Sequence, residues 1–305
     1  MPRPTVHDVH LNAALSQISI AYRNPEYIAE SIFPRLNVQK KSDYYYIFDA
    51  GAWFRDEVKV RAPGTRAARA DYSISTASYV CVTYAIAKGV PDEVRENADA
   101  PLKPDVEATQ FVTDQLLRAQ ERRVAALVTG SANWAYAASP ATQWTQDTSD
   151  PIGDIEAAKD AVVQRIGRVP NTMVISYEVW RYLRNHPDLL DRLKYTNPTG
   201  VITPDQAKTL FGVERLLIGT ALYDSAEEGE SASRQFIWGD AAWIGYVPRN
   251  PALMEPAAGY ILEWKTRRVR TYREEQEHQD VIEAEHSVDE VITASDAGAV
   301  IYNAV

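Results

Sequence analysis

Apolar side chains at Val106, Val112, Leu116, Ala119, Val124 and Leu127 recur mostly three to five positions apart, which predicts one face of a helix over 104–129. Pro104 suits the first turn, where its missing N–H costs nothing. Asp105 and Glu107 place negative charge at the positive end of the helix dipole, and Gly130 offers a left-handed stop. At about 1.5 Å per residue such a helix is roughly 39 Å long, well above the average in globular proteins. With a single apolar stripe it should lie across a surface, its other faces polar.

The period changes to two on the N-terminal side of that helix. Tyr44, Tyr46 and Phe48 alternate into one strand. Tyr72, Ile74, Val80, Val82, Tyr84 and Ile86 share one parity in a second, so 43–87 reads as a long β-hairpin. Its tip carries Trp53, Phe54, Arg55, Lys59, Arg61, Arg66 and Arg69 and turns near Pro63-Gly64. The tip is cationic and its aromatics have little local sequence to pack on. A contact with another chain is the reading we favour; a hairpin folded back on its own body and a nucleic-acid patch, diluted by Asp49, Asp56, Glu57 and Asp71, are the alternatives.

Before the hairpin, residues 1–42 read as an arm. Leu11, Leu15, Ile18 and Tyr22 suggest a short amphipathic helix, and Asn24-Pro25 caps a second one through Ser31 that stops at Phe33-Pro34. A loop spans 90–103, and 131–150 reads as irregular and as a boundary. Residues 151–247 form an α/β block: a helix stopped at Gly167, a buried strand over 172–176, and a helix broken at His186-Pro187. Next come a capping box at Thr203-Pro204-Asp205-Gln206 on a helix ending at Gly212, a strand over 215–222, a solvated acidic loop over 224–233, and strands over 234–247. Pro248, Pro251 and Pro256 mark a second crossing. A basic strand over 260–273 then faces an acidic run from Glu274 to Glu285, a pairing that suits adjacent strands, and strands over 288–292 and 299–302 close the chain.

Composition narrows the functions. The 305 residues can bury a sizeable core without staples. Cys81 is the single cysteine, which excludes an intrachain disulfide and fits a reducing compartment. No stretch approaches the roughly 18 apolar residues of a membrane span, and no apolar run marks a signal peptide, so a soluble chain made inside a cell is expected, with no membrane partner. A net charge of −10 argues against gripping phosphate backbones. The 17 tyrosines and 7 tryptophans suit interfaces.

Motifs for phosphate cradling, dinucleotide binding, a serine elbow or a helical zinc pair do not occur, so no cofactor, metal or catalytic residue is assigned. The best chemical candidate is His278, Asp280, Glu283, Glu285 and His286. On a strand these divide between two faces, and charge pairing on a sheet surface accounts for them more simply than an active site.

The order of these pieces resembles the major capsid protein of tailed double-stranded-DNA bacteriophages, a shell fold shared with encapsulins and the herpesvirus capsid floor. The stretches that carry the resemblance are RNPEYIAESIFPRLNV (23–38), SDYYYIFD (42–49), NTMVISYEVWRYLRNHPDLLDRLKYT (171–196), ITPDQAKTLFGVERLLIGTALYD (202–224) and HQDVIEAEHSVDEVITASDAGAVIYNA (278–304). It implies an α+β capsid fold with an N-terminal arm (1–42), an extended hairpin loop (43–87), a peripheral domain (88–150 and 248–305) and an inserted α/β axial domain (151–247). The 104–129 helix, with Leu116, Arg118, Arg122 and Arg123, becomes the spine of the peripheral domain. The hairpin-tip residues become contacts with a neighbouring copy.

The resemblance further implies self-assembly through hexamers and pentamers into an icosahedral virion shell, built in the host cytoplasm around packaged DNA that is not bound by sequence. Its expected partners are a portal protein, a separate scaffold protein because the arm starts almost at Met1, and in some members a decoration protein. An encapsulin-like cargo compartment and an enzyme using 278–286 are the alternatives. Some members cross-link a hairpin lysine to an asparagine; Lys59 and Asn303 are residues of those types.

Overall fold

Two five-stranded sheets meet under one long helix. The computed structural model describes residues 10–11, 27–48, 54–98, 102–193, 202–227, 229–250 and 255–305. In chain order the first elements are β1 (His10–Leu11), α1 (Ala29–Ile32), β2 (Arg35–Asn37), β3 (Ser42–Phe48), β4 (Ile74–Val80), β5 (Val82–Pro91) and α2 (Asp92–Glu96). The long helix α3 (Pro104–Thr129) follows, then β6 (Tyr136–Ala138), α4 (Pro151–Ile166), β7 (Thr172–Ser176), α5 (Tyr177–Leu183), α6 (Pro187–Leu193) and α7 (Pro204–Phe211). The chain continues through β8 (Arg215–Gly219), β9 (Leu222–Asp224), β10 (Arg234–Phe236), β11 (Ala242–Gly245), β12 (Gly259–Glu274), β13 (Gln279–Ile292) and β14 (Gly298–Ile301).

The first sheet has the order β1-β12-β13-β5, with β2 parallel to β12; the second has the order β6-β14-β11-β7-β8. Helix α3 starts at Pro104 as the sequence predicts, and packs Ala108, Val112 and Leu116 on Val90, Val269, Ile282 and Ala284 of the first sheet. Its C-terminal half packs Val124, Ala125 and Val128 among Phe33, Trp134, Trp238, Trp243, Ile261 and Val300, where both sheets contribute.

The buried stripe of α3 differs from the predicted one. It runs through 108–109, 112–113, 116–117, 120–121, 124–125 and 128, while Ala119 is exposed. Thr109 and Thr113 are tolerated inside because their hydroxyls donate to the carbonyls of Asp105 and Thr109, one turn back. Gly130 is not left-handed: its φ is −66°. The helix end is closed instead by side chains, with Asn133 Nδ2 donating to the Leu127 carbonyl (2.8 Å) and Trp134 Nε1 to that of Val128 (2.7 Å). Gly167 and Gly212 do stop α4 and α7 in the left-handed region, at φ 65° and 63°.

The predicted second strand of the hairpin is two strands. β4 pairs with β3, whereas β5 pairs with β13 in the first sheet. The break falls at Cys81, which is fully buried and whose N–H donates to the Lys41 carbonyl (2.8 Å). The shared parity on both sides of Cys81 hid the change of sheet. The predicted loops are also more ordered than expected. The 90–103 stretch contains α2, and the 131–150 stretch supplies β6, parallel to β14, with Trp134 and Trp144 buried. The 215–222 strand divides into β8 and β9. In the arm, Leu11 is in β1, paired with Arg270 of β12, not in the helix predicted there. The rest of that helix and the Asn24-Pro25 cap lie outside the described residues, as does Trp53.

The second sheet is covered on both sides. All five residues of β7 are buried, with Met173 and Ile175 facing the α4–α7 core and Val174 facing the α3 core. The capping box that opens α7 forms as predicted: Thr203 and Gln206 each accept the other's backbone N–H.

Candidate assembly surfaces

Ribbon β3–β4 has two unlike faces. Tyr45 and Tyr79 pack with Ala257, Tyr260 and Leu262 of this same chain. Tyr44, Tyr46, Ile74 and Val80 occupy the other face by register and are all exposed. Beyond the ribbon, every residue from 54 to 73 is exposed except Glu57, which is half-buried. Val58 is 90% and Val60 103% exposed. The tip turns at Pro63-Gly64 as predicted, with Gly64 at φ 82° and the Thr65 N–H donating to the Ala62 carbonyl.

The tip side chains divide into two groups. Phe54, 62% exposed, has its ring beside Gly167, so the base of the tip touches its own body. Arg55 bonds Glu57 (3.3 Å) and Arg61 bonds the Thr65 carbonyl (2.7 Å). Lys59, Arg66 and Arg69 make no ion pair among the described residues, and all three are exposed. An exposed positive segment with bare valines, on an acidic chain, is suited to burial against a partner of complementary surface.

The arginines of α3 hold this chain's own elements together. Arg118 pairs with Asp114 (2.6 Å), which also accepts the Tyr27 hydroxyl of the arm. Arg122 stacks on Tyr223 of β9, 4.3 Å from the ring centre. Arg123 grips Glu290 of β13 through two N–H bonds (3.0 and 2.8 Å) and lies 3.7 Å from the Tyr84 ring centre. Leu116 is buried in the helix–sheet core.

Between them sits a group that the apolar pattern concealed. Glu121, 1% exposed, accepts the backbone N–H of Ile28 and Ala29 (3.0 and 2.8 Å) and the indole N–H of Trp238 (2.8 Å). One carboxyl thus joins the arm, the long helix and the β10–β11 connection. Burial pushes its pKa up, against the three donors that favour the charged form. The sequence signal was an acid standing in register with the stripe, four residues after Leu117 and three before Val124.

The 278–286 cluster is dispersed by the strand. His278 is in the β12–β13 turn at φ 49°. Asp280 pairs with Arg95 (2.8 Å) and Arg273 (3.4 Å), and Glu285 with Arg268 and Arg270 (3.1 Å to the latter). Glu283 stands opposite Arg270 in the register, so the predicted basic–acidic pairing is present. His286 is buried and bonds Glu263 at 2.6 Å. Burial opposes charge on both. For Glu263 the His286 N–H and the nearby Arg35 and Arg267 guanidiniums outweigh it and hold the carboxyl below its usual range, while burial pushes His286 down. The pair is therefore a neutral imidazole donating to a carboxylate. Among the described residues no three His, Cys, Asp or Glu are grouped to hold a metal ion.

Residues 134–244 match the family model described as phage major capsid protein E. The chain is 28% identical over 304 residues to a major capsid protein of Burkholderia phage BcepMu, covering 95% of each. A crystal structure of a phage-related protein from Bordetella bronchiseptica RB50 superposes with a TM-score of 0.78 at 26% identity, over 97% of this chain and 98% of that one. A virus-like particle from Pyrococcus furiosus superposes at 0.59 over 94% and 97% of the two chains; at 10% identity it shares the fold alone. Fold and near-full-length sequence similarity agree: the chain is similar throughout to major capsid proteins of tailed bacteriophages, and its 134–244 segment matches the phage major capsid protein E family.

Proposed function

We propose that this chain builds the shell of a phage head, with copies joining through hexamers and pentamers into an icosahedral lattice around packaged double-stranded DNA. The observation that carries the reading is the bare tip at 54–73, whose cations and valines find few partners in their own chain. On a neighbouring copy they would be covered. In this reading α3 and the first sheet form the peripheral domain, and the second sheet with α4–α7 forms the axial domain. Trp53 through Arg69 make the contact between copies. The role is structural and not catalytic, since the paired charges of 278–286 hold strands together. The net charge of −10 suits a wall that lets DNA pack without sticking, because like charges repel within about a Debye length. Assembly in the host cytoplasm, with a portal and a separate scaffold protein, completes the reading.

The test is to replace residues 56–70 by a short Gly-Ser link and compare both proteins by negative-stain microscopy and chemical denaturation. The full chain should form closed shells or capsomers. The shortened chain should remain unassembled while unfolding with the same cooperativity. Shells formed by the shortened chain would remove the hairpin from the contact.

A further inference from the structure

A cleft of about 760 Å³ opens between the α1–β2 arm and the end of the second sheet. Five charged side chains line it: Glu30, Lys208, Glu214, Arg215 and Arg249. Three of these charges are already matched. Glu30 bonds Arg35, and Glu214 bonds Arg249 at 3.0 Å. Lys208 and Arg215, both half-buried, have no carboxylate partner among the described residues.

Arg215 is the unusual member. Its Nε and one Nη2 hydrogen both go to a single acceptor, the Thr172 hydroxyl (3.2 and 2.8 Å). That hydroxyl spends its own proton on Asn171 Oδ1 (2.9 Å). Asn171 is itself fixed, donating to the Val247 carbonyl (2.7 Å) and accepting the Val247 N–H (3.0 Å). The floor of the cleft is therefore rigid, and it holds a guanidinium whose remaining N–H groups have no acceptor within the described chain. Burial pushes the pKa of Arg215 down, and the nearby Arg249 adds to that while Glu214 opposes it. A half-buried guanidinium whose hydrogen bonds go only to a hydroxyl, with its nearest carboxylate already bonded to Arg249, gains from an anion that completes it. A guanidinium and an ammonium lining one cleft can together receive an oxyanion, the guanidinium through two bonds.

We propose that this cleft is an oxyanion site, in which Arg215 and Lys208 receive a carboxylate or phosphate group. The group has two possible sources: free inorganic phosphate, or the acidic loop at 224–233 (DSAEEGESAS) of a second copy, whose carboxylates suit the same pair. The site does not depend on the shell reading, since a free anion would fill it in a single chain.

The experiment uses the full chain in the assembly state in which it purifies, in chloride buffer of constant ionic strength. Fluorescence anisotropy follows a labelled DSAEEGESAS peptide, and phosphorus NMR linewidths follow inorganic phosphate. Two variants are compared with the wild type: Lys208→Gln, which changes only a half-buried helix side chain, and Lys208→Gln with Arg215→Met. Peptide binding that phosphate displaces identifies the second copy as the source. Phosphate binding without peptide binding identifies the free ion. In either case affinity should fall at least about tenfold in the double variant, as expected for losing charge-assisted hydrogen bonds. The thermal midpoint of the unliganded Lys208→Gln variant should not fall, because the Lys208 side chain is only half-buried at the edge of its helix. Binding of neither probe to the wild type, or equal binding to all three proteins, would overturn the proposal.

Discussion

Ribbon β3–β4 with its tip and the five-stranded sheet built on β7 use the same kinds of side chain to opposite ends. In the sheet, every residue of β7 is buried, and helices and strands of the same chain cover both faces. In the ribbon, Tyr44, Tyr46, Ile74 and Val80 face outward, and the tip beyond them is exposed almost throughout. One region is finished by its own chain; the other presents tyrosine and arginine, which interfaces concentrate, together with bare valines. The difference teaches that the folded core is complete within the chain, while the ribbon and tip leave apolar side chains that the proposed neighbouring copy would cover.

Breaking the two regions should therefore give different phenotypes. The largest effect is expected from Lys59→Glu, Arg61→Glu, Arg66→Glu and Arg69→Glu combined. Shell formation should be lost by sedimentation, while the denaturation midpoint stays unchanged. Phe211→Ala should do the reverse in kind: its ring is buried in the α4–α7 core, and truncation should cost about 3–5 kcal/mol by urea unfolding.

Glu121 tests the joint between the regions. Glu121→Ala leaves three buried donors without an acceptor, at about 1–3 kcal/mol each, so a loss of about 3 kcal/mol or more is expected. Its pH dependence has a definite sign. The folded pKa lies above the ordinary 4.5, so the folded state holds the proton more tightly. The stability contributed by the carboxyl is then full below the unfolded value and is lost as pH rises through the folded one. The stability difference between wild type and Glu121→Gln should shrink as pH is raised through that range. The smallest effect is expected from Val58→Asn with Val60→Asn, which should move unfolding by less than about 0.5 kcal/mol yet weaken assembly.

Much of the fold was legible because local chemistry decided it. Pro104, the Thr203–Gln206 box and the glycines at 167 and 212 each have a backbone role that is fixed within a few residues. What the sequence hid was decided at long range. The change of sheet at Cys81 depends on Lys41 and Leu262, the end of α3 on Asn133 and Trp134, and the burial of Glu121 on donors from Ile28, Ala29 and Trp238. Residues 131–150 looked irregular because their order comes from β14 and buried tryptophans and not from any period of their own. The tip was visible as a cationic, aromatic segment. Its bareness became visible only when the rest of the chain was seen to leave it uncovered.

Electron cryomicroscopy of the purified full chain puts the central claim to its most direct test. Closed icosahedral particles with the 54–73 tip laid over an adjacent copy are the expected result. A lone, unassembled chain at every concentration and salt, with the tip folded onto its own body, would contradict it.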